Sequence, residues 1–208
     1  MTRFSLLLLV TLSLLLPAQV LTAEDVMPQS KRSKLEQLKD FSLKGDAKSS
    51  FRQFRRKAEY FGSIYVNRPE RLAGSFSNVN SIELADYYAR AACHAKSKNP
   101  RHCVLYARVT PKNFTPPENG ETLSRDANSE FKEYLRLQNG KRFGAFAVSD
   151  NGAVGYSWAE PTRDFAEKEA LKRCAKSALK LMRDVPKLLK PVVAAPSRQG
   201  CRLIHLSR

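Results

Sequence analysis

Residues 143–174 read FGAFAVSDNGAVGYSWAEPTRDFAEKEALKRC, and the order of signals in that stretch occurs once more in the chain. Residues 61–66 read FGSIYV against FGAFAV at 143–148. Gly74 matches Gly155, and Ala85, Ala89 and Cys93 match Ala166, Ala170 and Cys174 at the same spacing. Cys103 opens CVLYARV, and Cys201 opens CRLIHL. The earlier copy is one residue longer between Phe61 and Gly74, and the extra residue falls in NRPERLA against SDNGAV, a turn in both copies. An insertion confined to a turn, with register kept on either side, is the mark of a duplicated unit rather than of chance apolar words.

Each copy reads as strand, strand, helix, strand. FGAFAVS alternates closely enough for a half-buried strand, and Asp150-Asn151-Gly152 is a hairpin signal because Asn and Gly tolerate positive φ. AVGYSWA is the return strand, and Pro161-Thr162 opens a helix whose apolar face holds Leu171, Cys174, Ala175, Ala178, Leu179 and Met182. In the earlier copy Asn80-Ser81 opens the helix, and Ile82, Ala85, Ala89, Ala92 and Cys93 share a face. The expected fold class is α+β, two related repeats of antiparallel sheet with helices packed on it. The mature chain holds four cysteines, which allow three pairings. Each helix cysteine faces the core above a strand that begins with a cysteine, so Cys93 is paired with Cys103 and Cys174 with Cys201. Residues 181–198 form an insertion in the second copy, read as continued helix and then an irregular basic loop.

The pattern FGA-x-A-x-S, then Gly155, then Ala166, Ala170 and Cys174, then Cys201, resembles the exported bacterial family called domain of unknown function 4189. The resemblance covers residues 143–206 well and 61–109 more loosely, since Ser63 and Tyr65 replace Ala145 and Ala147. It implies a small exported α+β domain held by a disulfide, in tandem with a divergent first copy, and it implies no catalytic residue.

The chain starts MTRFSLLLLVTLSLLLPAQVLTAEDV. Arg3, the uncharged run from Phe4 to Leu16, the break at Pro17 and the small residues Ala18 and Ala23 read as a secretory signal. Kept uncleaved it would be a membrane anchor; cleaved, it leaves no transmembrane helix. The boundaries are then residues 1–23 for the signal, 24–58 for a basic flexible arm, 59–115 for the first repeat, 116–139 for a partly helical linker, and 140–208 for the second repeat. The expected compartment is the bacterial periplasm or the exterior, where disulfides persist.

Two constellations suggest chemistry. Gly155-Tyr156-Ser157-Trp158-Ala159 has the look of a nucleophile elbow, with Asp164, Asp184 and His205 following in the order a serine hydrolase uses. Against it, the surrounding pattern is a hairpin, four residues separate Ser157 from the helix cap, and the first copy lacks the same serine placement; the favoured reading is a strand serine on the solvent face beside a packed Trp158. Cys93-His94 with His102-Cys103 carries zinc-ligand chemistry, but the second copy keeps the cysteines without the histidines, so a disulfide explains both copies and zinc only one. Glu83, Asp86, Glu167 and Glu169 read as exposed helix positions, Asn113-Phe114-Thr115 is a glycosylation pattern idle in a bacterium, and no cofactor motif is present.

The remaining lead is charge. Lys and Arg number 36 against 20 Asp and Glu, a net +16. Lys168, Lys172, Lys176 and Lys180 recur every four residues as one stripe, which is either a plain solvated face or an anion-binding surface. The expectation is a non-catalytic exported protein that binds an anionic envelope component or an envelope protein through a basic surface, with no specific nucleic-acid motif. The alternatives are a small hydrolase using Ser157 and His205, and an inhibitor or immunity-type protein against an envelope enzyme.

Overall fold

The computed structural model describes residues 32–116, 121–138, 140, 142–194 and 200–208; the signal read at 1–23 lies outside them. The elements run β1 (Ser33–Gln37), α1 (Gly45–Lys57), β2 (Phe61–Asn67), β3 (Leu72–Val79), α2 (Ile82–Lys96), β4 (Cys103–Pro111), α3 (Arg125–Gln138), β5 (Phe143–Val148), β6 (Val154–Glu160), α4 (Arg163–Asp184), α5 (Lys190–Val193) and β7 (Arg202–Ser207). They form two antiparallel sheets, ordered β1-β4-β2-β3 and β6-β5-β7.

The two β-β-α-β units match in detail. Each hairpin is broken at the same place, between Phe61 and Ser63 and between Phe143 and Ala145. Each pairing with the last strand slips at the same place, between Ile64 and Tyr65 and between Phe146 and Ala147. Left-handed φ values recur at equivalent positions: Tyr60 (56°) with Arg142 (57°), and Asn78 (61°) with Ala159 (55°). Both long helices start on a hydroxyl cap, Ser81 accepting from Leu84 N and Thr162 from Phe165 N, which satisfies one of the free amides of the first turn. Cys93 is bonded to Cys103 and Cys174 to Cys201, the pairing expected from helix and strand placement.

Gly74 and Gly155 explain how the helices come so close. Each faces the backbone of its long helix, at Cys93 N and at Cys174 N, with no room for a Cβ between them. In the second unit the rest of the contact is also small: Ala145, Ala147, Ala153, Ala166, Ala170 and Ala178 surround Cys174. The four-residue alanine rhythm visible in the sequence is therefore the seam of a close helix–sheet contact.

The stretch expected to be a flexible arm is instead built into the fold among its described residues. β1 pairs with β4 along its whole length. α1 lays Ala47 and Phe54 on the sheet against Ile64, Val66 and Ala73. Burying one Phe contributes roughly 1.5–3 kcal/mol, while Lys48, Arg52, Arg55 and Arg56 stay in water on the opposite face. The linker likewise holds α3, which buries Ala127, Phe131 and Tyr134 against Phe146, Val148 and Ile204. α1 thus stands to the first unit as α3 stands to the second, one helix on the sheet face that α2 or α4 leaves open. This is why β5 is buried from Gly144 onward rather than half-buried: its sheet is covered on both sides.

Two further expectations shift. On α4 the core line is Ala166, Ala170, Cys174 and Ala178, and Ala175 and Leu179 are exposed, Leu179 at 66%. They lie a quarter-turn round from that line, and the close contact set by Gly155 keeps the buried seam narrow. The insertion is not an irregular loop in its described part. A 3-10 turn at Lys187–Leu189 and α5 place Leu189 and Val193 against Tyr88 and Ala92 of the first unit. Polar bonds join the units as well: buried Asn80 donates to Ser149 O (2.9 Å) and accepts from Ser124 N (2.9 Å).

Candidate functional site

Ser157 and His205 are not brought together. Ala145 pairs with Ser157 on one side and Leu206 on the other, while Phe146 pairs with Tyr156 and His205. Directly paired residues share a face and neighbours along a strand alternate, so Ser157 and His205 point to opposite faces of the sheet. Ser157 is fully buried under α4 and donates to Ala166 O at 2.7 Å. It is neither the exposed nucleophile of an elbow nor a solvent-face serine. Asp164 is spent on Lys168 at 2.8 Å, and the Asp184 side chain lies outside the described residues.

His205 belongs to a different arrangement. Its Nδ1 lies 2.9 Å from Tyr134 Oη, which lies 2.8 Å from Ser207 Oγ. Burial holds the imidazole below its ordinary pKa and pushes the Tyr134 phenol up to about 12. A neutral imidazole and a neutral phenol sharing a hydrogen bond beside Phe131 make a satisfied network, with Tyr134 and His205 both buried.

The Cys93–Cys103 bond occupies both sulfurs of the zinc reading, and His94 and His102 are exposed. Among the described residues no three His, Cys, Asp or Glu side chains are grouped to hold a metal. Asp86, expected to be exposed, is half-buried. It takes a hydrogen bond from Ser63 and pairs with Arg108, whose guanidinium is held more basic by that bond. Glu83, by contrast, is exposed as expected.

Lys168, Lys172, Lys176 and Lys180 are all exposed on α4, away from its alanine seam. Their charges are not equally available. Lys168 pairs with Asp164, and Lys172 lies 3.0 Å from Glu169. Among the described residues Lys176 and Lys180 have no carboxylate within ion-pair distance.

The stronger cationic face lies in the segment expected to be a basic flexible arm, which forms the helix α1. Lys48, Arg52, Arg55 and Arg56 project from the outer side of α1, and among the described residues none is paired with a carboxylate. An open groove of about 510 Å³ runs between Arg52, Arg55 and Arg56. The signal was in the sequence, FRQFRRK at 51–57: Phe51 and Phe54 on one side of a helix place the arginines on the other.

Among the described residues no helix is long and apolar enough to cross a membrane. No curated protein and no solved structure matches the chain. Residues 143–181, which span β5, β6 and most of α4, match the family model of the Domain of unknown function (DUF4189), so this part of the chain is similar to that family.

Proposed function

We propose that this is an exported, non-catalytic protein that binds an anionic component of the bacterial envelope, or an envelope protein, through basic surface. The observation that carries the reading is the α1 face, where Lys48, Arg52, Arg55 and Arg56 share one exposed side without carboxylate partners among the described residues. Lys176 and Lys180 on α4 add to it. Two disulfides favour an oxidising compartment. The first unit is, on this proposal, a divergent copy of the DUF4189-like second unit; the matched breaks in pairing, glycines, helix caps and disulfides support it.

The test is binding of the mature chain to vesicles rich in anionic lipid across a range of salt. Each cation near such a surface contributes about 1 kcal/mol, roughly fivefold in affinity. Lys48, Arg52, Arg55 and Arg56 changed together to Gln should therefore lower binding by about two to three orders of magnitude. Lys168, Lys172, Lys176 and Lys180 changed to Gln should lower it less, because Lys168 and Lys172 already have carboxylate partners. Binding should weaken steeply with salt, since exposed charges are screened beyond about 8 Å at physiological ionic strength. Binding indifferent to salt and to both sets would remove the electrostatic reading.

A further inference from the structure

A cleft of about 360 Å³ opens where α1, β3, the end of α2 and the insertion meet. Its meaning comes from comparing the two units at equivalent positions. Counting from the paired glycines Gly74 and Gly155, Ser75 stands where the second unit has Tyr156, and Ser77 where it has Trp158. Counting back from the paired cysteines Cys93 and Cys174, Ala92 stands where the second unit has Arg173. In the second unit these three large groups form one cluster: the Tyr156 and Trp158 rings lie 5.7 Å apart, tilted by 40°, and the Arg173 guanidinium sits 5.4 Å over the indole. In the first unit all three are cut back to a hydroxymethyl or a methyl, and all three small residues line the cleft. The cleft thus lies where the second unit carries Tyr156, Trp158 and Arg173 and the first unit carries only small side chains.

The walls define what would fill it. Phe54, Ala73 and Leu189 supply apolar surface, and Ser50, Ser75 and Ser77 supply hydroxyls. Lys57 and Lys96 line it as well, and none of its lining residues is acidic. Lys96 Nζ donates to Ala73 O at 3.2 Å, which leaves further N–H groups for a ligand. Both lysines close their helices, where each C-terminus carries roughly half a negative charge; two full ammonium charges outweigh that. Small-molecule sites commonly have this character, a mostly apolar concavity of about 300–1,000 Å³ with a few polar groups.

We infer that this cleft is a binding site for an aromatic acid, a ring seated between Phe54 and Leu189 with its carboxylate on Lys57 and Lys96. The chemistry is shared by a free aromatic acid and by a peptide ending in an aromatic residue. This site is separate from the diffuse basic face of α1, and either can fail without the other.

The experiment is isothermal titration with 3-(indol-3-yl)propionate, with amide shifts of Ser75, Ser77 and Lys96 followed by NMR. A second arm uses a short acetylated peptide ending in Trp with a free carboxylate. Saturable one-to-one binding with shifts at those amides is expected for at least one of them, and which one responds assigns the source. Tryptophol, which lacks the carboxylate, and hexanoate, which lacks the ring, should each bind at least tenfold more weakly. Ser75→Tyr with Ser77→Trp, which copies the second unit, should abolish binding and leave anionic-vesicle binding unchanged. If that variant does not fold, Lys57→Gln with Lys96→Gln carries the test, both residues being exposed, with at least a tenfold loss expected. Absence of saturable binding in both arms overturns the inference, as does binding unaltered by the filling pair or, where that pair does not fold, by the lysine pair.

Discussion

Replacing Gly155 by Ala adds one methyl group and tests the main contact of the second unit. The new Cβ would stand 2.7 Å from Arg173 C and closer still to Cys174 N. Gly74→Ala meets the first unit in the same way, 2.5 Å from Ala92 C and 2.8 Å from Ala89 O. Carbon atoms rest at about 3.5–4.0 Å, so each helix must retreat by about 1 Å. The obstacle is helix backbone, which has no rotamer to turn away. Retreat opens a gap along the alanine seam, and a gap of 0.5–1 Å forfeits roughly a quarter to a half of each contact's attraction. The Cys174–Cys201 bond ties α4 to β7 and resists the movement. Overpacking of a core costs about 1–3 kcal/mol, and a clash with backbone belongs at the upper end, about 3 kcal/mol for either substitution. For a chain of this length that lowers Tm by about 6–12 °C, at about 2–4 °C per kcal/mol. Thermal and urea unfolding followed by circular dichroism would measure it. A loss below about 1 kcal/mol at both glycines would mean that the helices do not lie this close to their sheets.

Two other expectations follow from the same structure. Cys93–Cys103 closes a sequence separation of 10 and Cys174–Cys201 one of 27, so loop-closure entropy assigns them about 2.7 and about 3.6 kcal/mol respectively; double Cys→Ala variants compared in urea should keep that order, and equal losses would count against a chain-entropy account. His205 has its folded-state pKa lowered by burial, so below its ordinary value of about 6.5 the unfolded chain takes up the proton first. Its contribution is present in full above about pH 6.5 and is lost as pH falls through the lowered folded value; His205→Gln should flatten that part of the stability curve, and an unchanged curve would show that other groups produce it. The depressed carboxyl of Glu70, held down by the amides of Asn99 and Lys98, acts in a lower window, below about pH 4.5.

The repeat was legible because a close helix–sheet contact leaves rigid marks. A glycine with no room for Cβ, alanines every four residues and a cysteine on the same line recur in both units, since each answers to a distance between backbones. α1 and α3 left no such mark. They meet their sheets through larger side chains, Phe54 in one case and Phe131 and Tyr134 in the other, and many apolar pairs would serve equally well. Their sequences therefore share only a loose apolar stripe. In α1 that stripe is crowded by Arg52, Arg55 and Arg56, which made a packed helix read as a solvated arm.

The same missing helices hid the character of the candidate sites. With one face of each sheet read as open, strand parity puts Ser157 and Trp158 on opposite faces, and the plain reading sends Ser157 to water. Once α3 covers the second face, both faces meet protein, and exposure depends on distance from the strand edge rather than on parity. Ser157 lies under the middle of the α4 contact and is sealed, whereas Trp158 reaches the rim at 37% exposure. The first unit has the same rim geometry with serines in place of the rings. A serine hydroxyl there gives no packing that would hold α1 down, so the neighbouring surface must be closed by something else. Pro186, Leu188 and Leu189 of the insertion do so from outside the unit, while Leu189 and Val193 anchor that segment on α2. The insertion sits in the second unit's sequence but completes a wall of the first, so the rim that carries Tyr156 and Trp158 in one unit is left as a cleft lined by Ser75 and Ser77 in the other.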